Sequence, residues 1–144
     1  MNSSSNTTSF STLTGAYPAI DLASGLSINT DTLVATGATN ASVVLDILFR
    51  NTDASNTRNF DIIICPTGSN STAQYNRTQI VVPANAGNNG SVSLASLAAL
   101  APQLFDIDLA GNRLITLEST ESIYVRNKAA LTADIYVMVK QRNF

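Results

Sequence analysis

The 144-residue sequence contains no histidine, no tryptophan and a single cysteine, Cys65. Without histidine the chain lacks the most common general base and metal ligand of proteins, and a Ser-His-Asp triad cannot be assembled. One cysteine allows neither a disulfide within the chain nor a zinc site built from several thiolates. These absences disfavour most hydrolase and metalloenzyme chemistry, and the sequence predicts that the protein is not an enzyme.

Charged residues are also scarce, at 12% of the chain, which is about half the usual quarter. Eight Lys and Arg against ten Asp and Glu give a net charge of −2, which disfavours binding to nucleic acid. No apolar run approaches the ~20 residues that a membrane-spanning helix needs. A monomer with so few charges would expose much uncharged surface, so we expect other subunits to cover part of it.

Apart from Met1, residues 1–16 (MNSSSNTTSFSTLTGA) contain only two large apolar side chains, Phe10 and Leu13. The first charged side chain is Asp21, so the N-terminal segment has neither the basic nor the apolar region of a secretion signal, and we expect synthesis in a cytoplasm. Such a polar segment cannot form a core and should be ordered only by contact with a neighbour. The sequence thus predicts an extended N-terminal arm, residues 1–16, and a single domain, residues 17–144.

From residue 41 onwards, apolar and polar residues alternate in short runs, the pattern of half-buried β-strands. Residues 42–50 and 59–65 form two such runs, and the connector between them is rich in turn-forming residues. The two runs therefore predict an antiparallel hairpin. The side chains expected to face inwards are Val43, Leu45, Ile47, Phe49, Phe60, Ile62 and Ile64.

The rest of the chain shows further strand patterns, spaced about ten residues apart with turn residues between them. They lie at residues 78–82, 104–109, 113–118, 122–127 and 131–140, with two edge strands expected at 18–22 and 32–36. Leucines at helical spacing precede Pro102, which limits any helix there to about two turns. The fold predicted is an all-β, antiparallel β-sandwich, jelly-roll-like, with an extended N-terminal arm and at most one short helix near 94–101.

The carboxylate pair Asp106 and Asp108 is the best candidate for chemistry, since both side chains share one face of the predicted strand. Phe105, Ile107 and Leu109 occupy the other face, so we expect the core there and the carboxylates in solvent. The connector at residues 51–56 alternates Asn, Asp and Ser like a calcium loop but lacks its glycine and closing glutamate. No catalytic residue, cofactor or metal is predicted, and Cys65 is expected to be a small buried hydrophobe.

Two predicted strands carry apolar groups on both faces. In residues 61–65, Ile63 and Cys65 lie opposite the core side, and in residues 131–140 Tyr136 and Met138 do. Packing against another sheet and contact with another subunit both explain these residues, and Tyr and Met are enriched at interfaces. The candidate interface residues are Phe10, Leu13, Tyr17, Tyr124, Tyr136 and Met138.

Residues 104–140, and above all 112–126 (NRLITLESTESIYVR), resemble the closing strands of small β-sandwich virion proteins of tailed bacteriophages. Residues 42–51, followed by a polar loop, are similar to the opening strand of the same proteins. The resemblance implies a capsid decoration (cement) protein on the virion surface, a homo-oligomer with a trimer favoured, bound to the major capsid protein. From the sequence itself, no nucleic acid, membrane or cofactor is predicted. The alternatives are a neck, tail or fibre component, or an adhesive receptor-binding module.

Overall fold

The computed structural model describes residues 12–13 and 19–144, and most of its regular structure is β-strand. The strands, numbered in chain order, are β1 (Thr12–Leu13), β2 (Ala19–Leu22), β3 (Asp31–Thr36), β4 (Ser42–Asn51), β5 (Arg58–Pro66), β6 (Asn76–Val82), β7 (Ala95–Ser96), β8 (Asp106–Ile107), β9 (Arg113–Leu117), β10 (Glu121–Asn127) and β11 (Ile135–Asn143). A single α-helical turn, α1 (Leu97–Leu100), and two 3-10 turns (Ala73–Tyr75 and Pro102–Leu104) complete the described elements. Among the described residues, no helix is long and apolar enough to cross a membrane.

Two antiparallel sheets pack face to face, which confirms the predicted all-β sandwich. Sheet A has the order β1-β11-β4-β9-β8, with β2 also paired to β11 and β7 to β4. Sheet B has the order β3-β10-β5-β6, so β3 is the edge strand that the sequence predicts. The inner faces meet in one apolar core, where Phe49 of sheet A and Phe60 of sheet B place their ring centroids 5.6 Å apart.

The predicted hairpin of β4 and β5 is wrong, because the two strands belong to different sheets. β4 pairs with β11 and β9, whereas β5 pairs with β10 and β6. The connector between them turns the chain from sheet A to sheet B, and the Asp53 carboxylate accepts hydrogen bonds from Ser55 N–H and Asn56 N–H in that turn. Apolar and polar residues alternate both in strands that pair and in strands that face each other across a core. The alternation in residues 42–50 and 59–65 therefore does not show which strands pair.

A β-bulge in β4 reverses the inward pattern predicted for its first half. In the register with β11, Lys140 lies opposite Asp46 and Gln141 opposite Val44, which leaves Leu45 as the extra residue. Val44 is therefore fully buried, while Val43 and Leu45 are only half-buried. The prediction that Val43 and Leu45 face the core is wrong, and Ile47 and Phe49 are buried as expected.

The strand predicted at residues 104–109 shrinks to the two residues of β8, which pairs with β9 at the end of sheet A. Phe105 is buried as predicted, but Ile107 is 66% exposed and Leu109 fully exposed, so the expectation that both face the core is wrong. A turn stabilised by Asp108, whose carboxylate accepts from Ala110 N–H and Asn112 N–H, joins β8 to β9. The hairpin of β8 and β9 therefore projects beyond the part of sheet A that packs on the core.

The other predicted strands are confirmed with small changes of bounds. β11 begins at Ile135 rather than residue 131, because the preceding residues form a loop in which Asp134 O accepts from Thr52 N–H. Ile135, Val137 and Val139 are buried as the alternation predicts. The short helix near 94–101 is confirmed, with one turn rather than two.

Candidate interaction surfaces

The candidate interface residues that the structure describes do not share one surface. Phe10 and Tyr17 lie outside the described residues, and Leu13 lies in β1, opposite Arg142 of β11. Tyr124 is on β10 in sheet B, whereas Tyr136 and Met138 are on β11 in sheet A. All three alternate with buried core residues, so Tyr124 lies on the outer face of one sheet and the other two on the outer face of the opposite sheet.

On sheet B, the chain's own loop at residues 67–72 covers the outer face. Gly68 N–H donates to the Tyr124 hydroxyl at 3.2 Å, and Ser69 N–H donates to Pro66 O at 2.9 Å within the loop. Ile63 and Cys65 are only 1% and 2% exposed, although neither belongs to the core between the sheets. Neither residue therefore needs another subunit to cover it. The predicted burial of Cys65 is confirmed, and this burial raises the pKa of its thiol.

A polar network completes this cover. Arg126 Nε and Nη2 lie 2.5 and 2.9 Å from the two Asp31 carboxylate oxygens. Asn70, in the covering loop, donates to Asp31 Oδ2 at 2.7 Å and accepts from Arg126 at its carbonyl. Burial opposes the charge on Asp31, but the hydrogen bonds from Arg126 and Asn70 outweigh it, so the pKa of Asp31 lies below its ordinary value. Lys128 pairs with Asp61 at 3.2 Å, so two basic side chains of sheet B are engaged within the chain.

The connector at residues 51–56, whose sequence resembles a calcium loop, is stabilised by hydrogen bonds from side chains of the same chain. Asp53 is buried, and its carboxylate also accepts from the Thr132 hydroxyl at 2.8 Å and from Arg58 Nη2 at 2.7 Å. The hydrogen bonds from Ser55, Thr132, Asn56 and Arg58 hold the pKa of Asp53 far below its usual range. No group of three potential metal-ligating side chains occurs within the described residues. The Asp53 carboxylate thus acts as an anchor for the connector.

On sheet A, one part of the outer face is occupied by the chain's own groups. The Arg50 guanidinium lies 5.6 Å from the centroid of the Tyr136 ring. The charges of Asp21 and Asp134 raise the pKa of Tyr136, which donates from its hydroxyl to Asp134 Oδ2 at 3.4 Å. Nearby, the Asp46 carboxylate accepts from the Ser96 hydroxyl and from Ala98 N–H in α1.

The other part of this face contains a half-open groove of about 480 Å³. It lies between β4, the hairpin of β8 and β9, and the C-terminal end of β11. Its lining consists of the apolar side chains Val43, Leu45, Leu114 and Phe144 and the polar side chains Asp108, Asn112, Arg113 and Arg142. The bulge places Val43 and Leu45 in this lining, and a hydrogen bond of 3.0 Å from Phe144 N–H to Ala41 O fixes the C-terminus beside them.

Sequence reasoning missed this groove because its apolar lining depends on the bulge. In a regular β4, Val43 and Leu45 would point into the core, and Val44 would take their place on the outer face. The available signal was the run Val43-Val44-Leu45, which offers apolar side chains to both faces at the start of the strand. Arg113 and Arg142, both exposed, make no side-chain hydrogen bond or ion pair within the described part of the chain.

Comparisons of this chain with protein-family models, with curated proteins and with solved structures found no match.

Proposed function

We propose that this chain is a non-enzymatic structural protein of a virion, a capsid decoration protein that stabilises the head shell by binding across capsomer joints. The observation that carries the proposal is the exposed apolar surface of sheet A, where Ile107 and Leu109 project beside an apolar-lined groove. Exposed apolar surface of this kind is typical of proteins that bind other proteins. The resemblance of residues 104–140 to phage virion proteins supports the same class.

Such a protein acts through its binding free energy alone. A ligand that binds only the assembled shell stabilises the shell by mass action, by about 2.7 kcal/mol per site at a concentration one hundred times its dissociation constant. The role needs a rigid body and an accessible surface. The sandwich core supplies the first, and the outer face of sheet A, with Tyr136 and Met138 half-buried on it, supplies the second.

The described part of the N-terminal arm, β1, pairs with the C-terminal end of β11. Thr12 of β1 lies opposite Asn143 of β11, one residue from Phe144 in the groove lining. In the proposed role the arm, with Phe10, Leu13 and Tyr17, contacts neighbouring virion subunits, and the protein is a homo-oligomer, with a trimer favoured. Its partner is the major capsid protein, and its location is the capsid surface.

The experiment is density-gradient fractionation of native material, with mass spectrometry of the particle band. We expect this chain to sediment with the major capsid protein, in an amount comparable to it. Recovery only as a small soluble oligomer would contradict the proposal. A particle-bound chain at a small fraction of the capsid protein would favour a neck, tail or fibre component, and binding on a glycan array would favour a receptor-binding module.

A second measurement addresses the arm. Deletion of residues 1–11 leaves β1 in place, so the circular dichroism spectrum and the melting temperature should stay close to those of the full chain. Binding to shells stripped of the protein should be lost. Unchanged occupancy on the shells would show that residues 1–11, with Phe10, have no part in attachment.

A further inference from the structure

We infer that the hairpin of β8 and β9 inserts into the groove of a second copy of this chain. The hairpin presents residues 106–109, in which two acidic side chains alternate with Ile107 and Leu109. The groove is lined by Val43, Leu45, Leu114 and Phe144, with two arginines beside them. This contact deepens the proposed homo-oligomeric role and rests on it.

The groove is large enough to hold the exposed side chains of the hairpin. Ile107 is 66% exposed and Leu109 fully exposed, so the groove of their own chain holds neither side chain. The volume of about 480 Å³ is roughly three times the ~150 Å³ of an engineered cavity that binds benzene, and it has room for two aliphatic side chains. Since hairpin and groove are adjacent on one molecule, every copy offers both halves of the contact.

The charges fit as well. Asp106 is exposed on the hairpin, while Arg113 and Arg142 line the groove without a side-chain partner in residues 12–13 and 19–144. Asp108 is occupied by its own turn, so Asp106 is the carboxylate that can reach a neighbour. Asp108 also lines the groove, but its carboxylate is engaged in its own turn, so the two arginines are the charged groups left to meet Asp106 of a second copy. This complementarity favours the pairing over a neutral or basic partner.

This contact between unlike surfaces is heterologous, and copies joined by it form a closed ring when the rotation between them closes. Two copies related by a two-fold axis make the same contact twice. The molar mass of the oligomer distinguishes these arrangements, and both depend on the same side chains.

The test measures the molar mass of the full chain by analytical ultracentrifugation over a range of concentrations. We expect an oligomer that dissociates on dilution. Leu109→Ser should weaken association roughly ten- to a hundred-fold, since burial of a leucine is lost. Leu100→Ser is the matched control, because Leu100 is 42% exposed at α1, away from the groove lining, and should leave association unchanged.

A charge exchange tests the pairing directly. Asp106→Lys and Arg142→Glu should each weaken self-association, and an equimolar mixture of the two variants should associate more tightly than either alone. A monomer at all concentrations, or an oligomer insensitive to Leu109→Ser and to both charge variants, would overturn the inference. Loss of the oligomer only on deletion of residues 1–11 would also overturn it, by assigning the contact to the arm. Shell attachment is measured separately on the gradient, so either proposal can fail without the other.

Discussion

The Arg58 guanidinium and the Asp53 carboxylate form a buried ion pair, with Nη2 and Oδ2 2.7 Å apart. The pair connects three segments, because Thr132 donates to the same carboxylate oxygen and Arg58 Nη1 donates to Ala130 O at 3.3 Å. It thereby fixes the passage of the chain from sheet A to sheet B, and with it the position of β5 across the core from β4.

Replacement of Asp53 should expose this dependence. Asp53→Asn leaves Arg58 as a buried charge without its partner, so we expect the free energy of unfolding at pH 7 to fall by about 3 kcal/mol. Chemical denaturation followed by circular dichroism measures the change. Asp21→Asn, at an exposed position of β2, is the control and should change stability little.

The same carboxylate predicts a pH dependence. The pKa of Asp53 in the folded chain lies far below its unfolded value of about 3.9, so unfolding takes up a proton in the window between the two. Its contribution to stability is present above pH ~4 and is lost as the pH falls further. Denaturation between pH 2 and 7 should show a steeper acid loss of stability for the wild type than for Asp53→Asn. Equal slopes would contradict the role assigned to Asp53.

The bulge in β4 predicts that two adjacent valines contribute unequally to the free energy of unfolding. Val44 is fully buried and Val43 lines the groove, so Val44→Ala should cost about 2 kcal/mol and Val43→Ala under about 1 kcal/mol. Regular alternation predicts the reverse order. Because the two substitutions are identical in type, each is the control of the other in a denaturation experiment.

The loop over sheet B should control the reactivity of Cys65. The thiol is 2% exposed, and its pKa is raised by burial, so reaction with a disulfide reagent should be slow in the native chain. Asn70→Ala removes the hydrogen bond to Asp31 and should accelerate labelling about five-fold, as expected for a loss of ~1 kcal/mol. Asn88→Ala, in a different loop, should have no effect. Labelling of the wild type as fast as a free thiol would show that the loop does not cover Cys65.

In the loop between β3 and β4, exchanges of glycine and alanine at two positions should change stability differently. A Cβ on Gly37 would lie 1.8 Å from Glu118 O, so Gly37→Ala should lower stability by about 1–3 kcal/mol. Ala41 has a φ of 93°, which disfavours a side chain, so Ala41→Gly should be neutral or raise stability by up to ~1 kcal/mol. Thermal melts of the two variants should therefore shift differently. Equal losses would contradict both placements.

Strand positions were predictable because they depend on local composition. Residues 59–65 and 113–118 alternate over one strand length between turn residues, and the observed strands begin or end within one residue of these bounds. The edge strands before residue 41 were predicted on the same basis. The groove was not, since it requires β4, the β8–β9 hairpin and Phe144 to meet, and these segments are far apart in the sequence.

The amino-acid sequence by itself determined the all-β class, the single short helix and the burial of Val137 and Val139, because side-chain alternation and turn residues act over a few neighbours. Only the tertiary structure decided that β4 and β5 face each other across the core. It likewise decided that Leu45 leaves the core at a bulge, and that the chain itself covers Ile63 and Cys65. These outcomes depend on pairing between distant strands, and an apolar residue at a strand position is compatible with either face until its partners are in place.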